Sequence, residues 1–252
     1  MITTYENLPA DKRIYVASDF HLGHPYVKES QLREEKIGRW LDSIKHNAQA
    51  IILAGDLFDF WFEYSQVVPK GFLRFYTKLI ELKGLGIDLI FFTGNHDIWM
   101  FDYFEQELDA TIHREPKSFL VGKHKIQIGH GDGLGPGDLK FKFFKSIFTN
   151  KLAQWGFKWI HPDLGIKLAT AWSGHSKGHD DPFLGEKEPI FIHCMNVEES
   201  NHHDYYIFGH RHMILDMPVG KNARYFNTGE WIENSQFIEI SNTAVKSLKY
   251  EE

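Results

Sequence analysis

The sequence contains almost no cysteine, since Cys194 is the only one among its 252 residues. A lone cysteine forms no internal disulfide, and no thiolate pair is present to select a soft metal ion. Residues 1–12 are polar and acidic and lack the basic and apolar regions of a signal peptide. No uninterrupted apolar run approaches the roughly 20 residues that span a bilayer as a helix. The expected compartment is therefore the cytoplasm, with any membrane contact made from the surface.

The sequence also lacks a basic excess. Its 34 acidic and 28 basic residues give a formal net charge of -6, which argues against nucleic acid as a partner. No feature points to a protein partner either. The hydrophobic share of 42% and the aromatic share of 15% supply ample material for a buried core. We therefore expect residues 1–252 to form a single domain.

Short apolar, β-rich runs bounded by turn formers predict buried strands. They lie at 13–18, 50–54, 88–93, 125–129, 205–209, 225–227 and 237–240. Helical periodicity at 31–46 and 71–83 separates the first three, which predicts parallel crossovers. The closely spaced strands of the C-terminal half are expected to be antiparallel. Together these patterns predict a layered α/β domain with two packed sheets.

Five of the predicted strands end in residues that bind metal ions. The segments are Ser18-Asp19-Phe20-His21, Gly55-Asp56-Leu57-Phe58-Asp59, Gly94-Asn95-His96-Asp97, Gly129-His130-Gly131-Asp132 and Gly209-His210-Arg211-His212. Ligands of α/β folds gather beyond the carboxyl ends of strands. Taken singly, each residue has an ordinary explanation, because Asp caps helices and Gly-Asn or Gly-Asp forms turns. Their joint occurrence at successive strand ends favours a metal site.

Two neighbouring divalent cations need a bridging anion, and Asp56 is our candidate because a carboxylate offers two oxygens. Asp19 and His21 are two residues apart, which at a strand end would aim both side chains the same way, and His210 and His212 repeat that spacing. Imidazole, carboxylate and amide oxygen together suit Mn²⁺, Fe²⁺ or Zn²⁺ better than Ca²⁺. Mn²⁺ is our first choice, with Fe²⁺ or Zn²⁺ as alternatives.

These motifs resemble those of the calcineurin-like metallophosphoesterases over roughly residues 13–231. The resemblance implies a four-layer αββα sandwich of two mixed β-sheets and metal-assisted hydrolysis of a phosphoester or phosphoanhydride. It also implies two metal sites that share Asp56. One site would consist of Asp19, His21, Asp56 and His212, and the other of Asp56, Asn95, His130 and His210.

Within this family, the segments 18–23, 55–61, 130–134 and 173–177 are similar to members that cleave the pyrophosphate of UDP-2,3-diacylglucosamine. The similarity implies release of UMP in lipid A biosynthesis, with a nucleotide-linked glycolipid as substrate. It further implies peripheral attachment to the cytoplasmic face of the inner membrane. Residues 137–178, which are aromatic and rich in lysine, would form a helical cap insertion over the acyl chains. A plain helical hairpin packed on the sheet is the alternative for this segment.

The resemblance also suggests residues that contact the substrate. These are Asn95, His96, His175, Ser176, Lys177 and His210. Many of the hydrolases named above have an arginine directly after the metal-binding Asn, where this chain has His96. We expect His96 to act in catalysis, either by protonating the leaving group or by stabilising the negative charge, with Asp97 as a second catalytic residue that orients its ring. His96 favours the alternative function, which is hydrolysis of another nucleotide diphosphate, phosphodiester or phosphomonoester.

Three further features leave two interpretations open. The aromatic residues at 60–64 belong either to the core or to a substrate pocket. Asp59 either holds a ligand histidine or caps the next helix. His202 and His203 are expected in a solvated loop, with a third metal site as the alternative. A scaffold without catalysis would be expected to lack ligands, and none of the seven is missing.

Overall fold

A computed structural model describes residues 2–137, 139–176 and 182–251 of the chain. Its twelve strands in this described part are β1 (Thr3–Tyr5), β2 (Arg13–Ala17), β3 (Ala48–Ala54), β4 (Asp88–Phe92), β5 (Thr111–His113), β6 (Lys117–Val121), β7 (His124–Gly129), β8 (Tyr205–Phe208), β9 (Ile214–Val219), β10 (Ala223–Thr228), β11 (Gln236–Ile240) and β12 (Val245–Lys249). Its α-helices are α1 (Val27–Ile44), α2 (Leu73–Gly84), α3 (Tyr103–Leu108), α4 (Leu139–Phe148), α5 (Lys151–Lys158), α6 (Pro162–Ser176) and α7 (Pro189–Ser200). A short 3-10 helix, Gly185–Lys187, precedes α7.

The strands form two six-stranded sheets. The first sheet has the order β12-β11-β2-β3-β4-β5, and the second has the order β1-β6-β7-β8-β10-β9. Strands β2, β3 and β4 pair in parallel, which confirms the predicted crossovers in the N-terminal half. The prediction of an antiparallel C-terminal half is only partly right. Strand β8 lies between β7 and β10 and is parallel to both, because β9 turns back along the outer side of β10.

Three apolar layers hold the sheets and helices together. Isoleucines at 37 and 44 and Leu41 lie on one face of α1, as the spacing of an amphipathic helix requires, and pack on the first sheet. Ile52 of β3 faces the second sheet, where Ile126 of β7 belongs to the same cluster. Cys194 of α7 is buried against the outer face of the second sheet. The order helix, sheet, sheet, helix confirms the predicted four-layer αββα arrangement.

Helices α4, α5 and α6 occupy the segment predicted as a cap, so its helical character is confirmed for the residues described. No residue of α4 or α5 is buried, which argues against a hairpin packed on a sheet. The cap instead joins the rest of the molecule at its edges. Trp99 donates a hydrogen bond from Nε1 to the carbonyl of Phe148 at 2.8 Å, and the ring of Trp99 stacks on Phe157.

Among the described residues, no helix combines the length and the apolar character that crossing a bilayer requires.

Candidate metal centre

The seven predicted ligand residues lie in five loops that follow strands of both sheets. Asp19 and His21 follow β2, Asp56 follows β3, and Asn95 follows β4 in the first sheet. The loop after β7 carries His130, and the loop after β8 carries His210 and His212, both in the second sheet. These strand ends meet on one side of the molecule, and the side chains fall into two groups that share Asp56.

The first group consists of Asp19, His21, Asp56 and His212, which offer ligand atoms within 4.8 Å of one another. His212 Nε2 lies 3.1 Å from Asp19 Oδ1 and 2.9 Å from His21 Nε2. His21 Nε2 is 3.9 Å from Asp56 Oδ2. Two imidazole nitrogens and two carboxylates therefore converge on one small volume.

The second group consists of Asp56, His130 and His210, again within 4.8 Å. His130 Nε2 lies 3.3 Å from Asp56 Oδ2 and 3.3 Å from the amide oxygen of Asn95. His130 Nδ1 donates a hydrogen bond to the carbonyl of Ala54 at 2.9 Å, which directs Nε2 into the cluster. The geometry thus brings together all seven residues that the sequence predicted.

Five of these residues have left-handed backbone conformations that side chains rarely adopt. Their φ angles are 56° at Asp19, 44° at His21, 53° at Asp56, 70° at His210 and 52° at His212. The side chains converge, but strand alternation is not the reason, because β2 ends at Ala17 and β8 at Phe208. Each such residue costs about 1–3 kcal/mol, and this strain characteristically gathers at functional sites.

The donor set fits divalent cations. Asp19 Oδ1 is buried, and His212 Nε2, itself a predicted metal ligand, lies 3.1 Å from it. Burial raises the pKa of Asp56, but the neighbouring His130, His96 and His21 hold it well below its ordinary value. Burial lowers the pKa of His130, but attraction to Asp56 outweighs this effect and raises it to about 10. Burial and the charge of His130 lower the pKa of His210 to about 4. The buried carboxylates create a negative potential that favours a cation. A bound cation would take the place of the proton on His130, because an imidazole is neutral when it binds a metal.

Asp97 does not orient the ring of His96, so this expectation is wrong. The Asp97 carboxylate is buried and accepts hydrogen bonds from the backbone amides of Gly94 at 2.7 Å and Leu57 at 2.7 Å. It therefore joins the loop after β3 to the loop after β4. The ring of His96 donates from Nδ1 to the backbone carbonyl of Asp59 at 2.9 Å. Burial and the charge of Asp56 raise the pKa of Asp97 to about 7.

Asp59 lies beside a predicted ligand and does not cap a helix, because α2 begins only at Leu73. Its Oδ1 is 3.8 Å from His21 Nδ1 and 3.9 Å from His96 Nδ1. Of the nearby aromatic residues, Trp61 and Phe62 are fully buried core residues.

The adjacent histidines at 202 and 203 lie in different environments. His202 is 52% exposed in its side chain, as expected for a solvated loop. His203 is fully buried, and its ring contacts Ser118 Oγ and the Asn201 carbonyl, so the prediction is wrong for this residue.

Of the predicted substrate contacts, His175 and Ser176 lie near the C-terminal end of α6, and Lys177 lies outside the described residues. Asn95, His96 and His210 lie at the clusters described above.

Several further residues support the loops of the site. Arg33 of α1 is buried and donates from Nη1 to the carbonyls of His21 at 2.8 Å and His24 at 3.0 Å. Asn227 of β10 donates from Nδ2 to the Gly209 carbonyl at 2.5 Å, which supports the loop that carries His210 and His212. Ser18 donates a short hydrogen bond to the Asp19 carboxylate. The contacts of Arg33 reach a different element of the chain, whereas the contact of Ser18 lies within one motif. No local sequence pattern marks either of them.

The sequence model of the calcineurin-like phosphoesterase family matches residues 12–213. A UDP-2,3-diacylglucosamine hydrolase of Porphyromonas gingivalis is 32% identical over 250 residues, which cover 92% of this chain and 95% of that protein. A UDP-2,3-diacylglucosamine hydrolase of Proteus mirabilis is 27% identical over 84% of this chain and 90% of its own length.

Among solved structures, a dimetal phosphatase from Danio rerio aligns with a TM-score of 0.47 and 13% identity, covering 96% of this chain and 100% of that chain. A zinc complex of Vps29 from Entamoeba histolytica aligns with a TM-score of 0.43 and 14% identity, covering 94% of this chain and 98% of that chain.

Proposed function

The chain belongs to the calcineurin-like phosphoesterase family and is a metal-dependent hydrolase, and on this premise we propose that its substrate is UDP-2,3-diacylglucosamine. The reaction is hydrolysis of the pyrophosphate bond, which yields UMP and 2,3-diacylglucosamine 1-phosphate and serves lipid A biosynthesis. The observation that carries the proposal is the attachment of an aromatic, lysine-rich cap directly to the loops of the metal centre. The similarity to the hydrolases of Porphyromonas gingivalis and Proteus mirabilis supports it.

We assign one divalent ion to Asp19, His21, Asp56 and His212 and the other to Asp56, Asn95, His130 and His210. The two groups of converging side chains support this division, and Asp56 belongs to both. The mixed nitrogen and oxygen donors favour Mn²⁺, with Fe²⁺ or Zn²⁺ as alternatives. When bound, such a pair of ions supplies hydroxide near neutral pH and positive charge for the phosphoryl oxygens.

His96 acts as the proton donor to the leaving group. Its Nδ1 already donates to the Asp59 carbonyl, which fixes the ring, so we assign the proton transfer to Nε2. Its backbone amide donates to Asp56 Oδ1 at 2.9 Å, which places the ring next to the proposed bridging carboxylate. Asn95 and His210 belong to the second group of ligands, and we assign them contacts with the same phosphoryl group.

The cap provides the surface for the acyl chains and the phosphates. Lys145 of α4 forms an ion pair with Asp132 at 2.7 Å, two residues after His130. The ring of Phe141 lies 6.3 Å from that of His210. Aliphatic stems and rings pack on lipid while the lysine ammonium groups meet phosphate. His175, Ser176 and Lys177 are assigned to substrate contacts on the same cap.

The test compares two substrates with the purified, manganese-loaded protein. We expect UMP release from UDP-2,3-diacylglucosamine at enzyme concentrations that also hydrolyse a generic aryl phosphodiester. Asp56→Ala and His130→Ala are expected to abolish both activities. Hydrolysis of the aryl phosphodiester without UMP release would refute the lipid substrate and leave the metal centre intact.

A second candidate function is hydrolysis of a different nucleotide diphosphate or phosphoester. The observation that favours it is His96, a largely buried imidazole at the position where many of the lipid-specific members have an arginine. The same assay, extended to UDP-glucose and to phosphomonoesters, separates the two candidates by their kcat/KM values.

We also propose that the cap binds the surface of a membrane. Helix α5 carries the exposed side chains of Leu152 and Trp155, and Trp159 directly follows it. The rings of the two tryptophans lie 6.2 Å apart. Lys151 and Lys158 begin and end the same helix. Exposed indole rings next to lysines suit the interfacial region of an anionic bilayer.

A further inference from the structure

Glu188 and Arg211 form a two-pronged ion pair beside the metal centre. Arg211 donates from Nε to Glu188 Oε2 at 2.8 Å and from Nη2 to Oε1 at 3.1 Å. Glu188 is fully buried and the Arg211 side chain is 15% exposed. Breaking a buried pair of this kind is costly because the remaining partner is left as an uncompensated charge. Since Arg211 lies between His210 and His212, the pair fixes the loop that carries both histidines.

This loop needs support because its backbone is strained. His210 and His212 both have left-handed φ angles, 70° and 52°, and Arg211 itself donates from its amide to Gly209 at 2.8 Å. Such conformations persist only where the surrounding structure over-determines them. Asn227 holds the loop from the side of the sheet through the Gly209 carbonyl. The ion pair with Glu188 holds the same loop through the side chain of Arg211.

Glu188 lies where the chain returns from the cap. It directly precedes α7, and its Oε1 also accepts a hydrogen bond from the amide of Leu184 at 3.0 Å. The Arg211 guanidinium reaches the carbonyl of Pro182 at 3.5 Å. Both members of the pair therefore hold residues 182–188, the segment that leads from the cap into α7.

The same end of α7 touches the second loop of this sheet. Pro189 and Ile190 pack on the loop that carries His130, where only glycine fits. A Cβ at Gly131 would lie 2.6 Å from Ile190 Cδ1, and one at Gly135 would overlap the Pro189 carbonyl. One short segment thus contacts the loops of both His130 and His210.

We propose that Glu188 and Arg211 are positioning residues that set the metal affinity of the centre by fixing the His210–His212 loop to the segment that leaves the cap. The inference rests on the ligand assignment proposed above. Neither residue contacts the substrate or the ions in this role. Removing a group that orients a metal ligand costs about 10–100-fold in metal affinity or activity.

The experiment is calorimetric titration of Mn²⁺ into the full-length, chelator-treated protein and its variants. We expect Arg211→Ala and Glu188→Gln to weaken binding of the ions about 10–100-fold. The Mn²⁺ affinity of Arg211→Lys should lie between those of these variants and the wild type, because lysine restores the charge but not the two-pronged contact. The control is Arg224→Ala, which removes an exposed ion pair with Asp216 on the same sheet and should leave the affinity unchanged.

A kinetic readout separates positioning from loss of structure. In Arg211→Lys, which retains a folded core, kcat on an aryl phosphodiester should fall while KM stays within about twofold, and added Mn²⁺ should restore part of the rate. The double variant Glu188→Leu with Arg211→Leu leaves no unpaired charge, so it should fold and still bind Mn²⁺ weakly.

The His210→Ala variant distinguishes failure of the positioning role from failure of the ligand assignment. His210→Ala should lose one of two bound ions, and wild-type titration curves for this variant would refute the assignment itself. If His210→Ala loses an ion while Arg211→Lys, Arg211→Ala and the double variant all bind Mn²⁺ as tightly as the wild type, the positioning role is refuted.

Discussion

Among single residues, Asp56 has the most connected position, because its carboxylate belongs to both groups of converging side chains. We predict that Asp56→Ala retains neither ion, whereas Asn95→Ala retains one, since Asn95 lies only beside the His130 group. Metal content per chain after desalting, measured by plasma mass spectrometry, checks this. His202→Ala, which changes an exposed histidine outside these groups, is the control and should keep both ions. Two ions in Asp56→Ala would contradict the bridging role.

Arg33 is a second residue on which the centre depends. Its guanidinium donates to the carbonyls of Phe20, His21 and His24 from a buried position. Arg33→Ala removes these three hydrogen bonds from the inside of the molecule, so we expect a loss of about 1–3 kcal/mol in the free energy of unfolding. Urea denaturation in excess chelator measures this loss without any contribution from bound metal.

The matched control for Arg33 is Arg74→Ala. Arg74 forms an ion pair with Glu35 on the surface of the neighbouring helices, and its side chain is 51% exposed. We expect this substitution to cost under about 1 kcal/mol, as is usual for exposed ion pairs. Equal losses in the two variants would mean that the contacts of Arg33 with the carbonyls contribute little.

The contrast between Asp56 and Arg33 shows which residues sequence alone can identify. Asp56 follows a buried strand in a segment whose residue types recur at other strand ends. Arg33 is one charged residue in an amphipathic helix, and its partners become visible only after α1 has packed against the loop that follows β2. Glu188 could not be predicted for the same reason, because its contact with Arg211 spans distant parts of the chain.

At the scale of elements, Trp99 provides the attachment of the cap. Its Nε1 donates to the Phe148 carbonyl at the end of α4, and its ring stacks on Phe157. Trp99→Phe preserves most of the packing and removes the hydrogen bond, which is worth about 1 kcal/mol. We expect KM for UDP-2,3-diacylglucosamine to rise about fivefold. The kcat/KM for an aryl phosphodiester, which does not need the cap, should stay within about twofold.

Trp155→Phe serves as the control for Trp99→Phe, because Trp155 lies on the exposed face of the cap. It should leave KM for the detergent-dispersed lipid nucleotide unchanged. A parallel loss of activity on both substrates in Trp99→Phe would indicate disturbance of the metal centre through the adjacent loop, and would contradict a role confined to the cap.

Most of the strands that the sequence did not predict lie at the edges of the sheets. Strands β2, β3 and β4 are central and buried, so their sequences are continuous apolar runs. The four edge strands of the described sheets, β1, β5, β9 and β12, were not predicted, and neither was β6, which lies between β1 and β7. Strand β9 alternates between exposed and half-buried residues along most of its length and contains Pro218. Edge strands have one solvated side, so they lack the apolar run on which the prediction depends.

At the scale of the whole molecule, the metal centre joins the two sheets, because Asp19, Asp56 and Asn95 follow strands of the first sheet and His130 and His210 follow strands of the second. Ions that bind only the folded state add about 2.7 kcal/mol at a hundredfold excess over Kd. For a domain of this size that corresponds to roughly 5–10 °C in Tm. We therefore predict that a chelator lowers Tm by this amount and that Mn²⁺ restores it. The chelator should not change the Tm of Asp56→Ala. A wild-type Tm that the chelator leaves unchanged would contradict the prediction.

The exposed face of the cap also determines how the whole molecule meets a surface. Trp155 and Trp159 are 63% and 77% exposed and lie on one side of α5. We predict that replacing both with alanine reduces cosedimentation with vesicles containing phosphatidylglycerol at least fivefold, because indole rings partition into the interfacial region. Hydrolysis of an aryl phosphodiester should not change. Leu85→Ala removes a leucine that is 59% exposed beyond α2, away from the cap, and should bind vesicles as the wild type does. If the double variant cosediments fully, another surface makes the contact, and the membrane role of the cap fails.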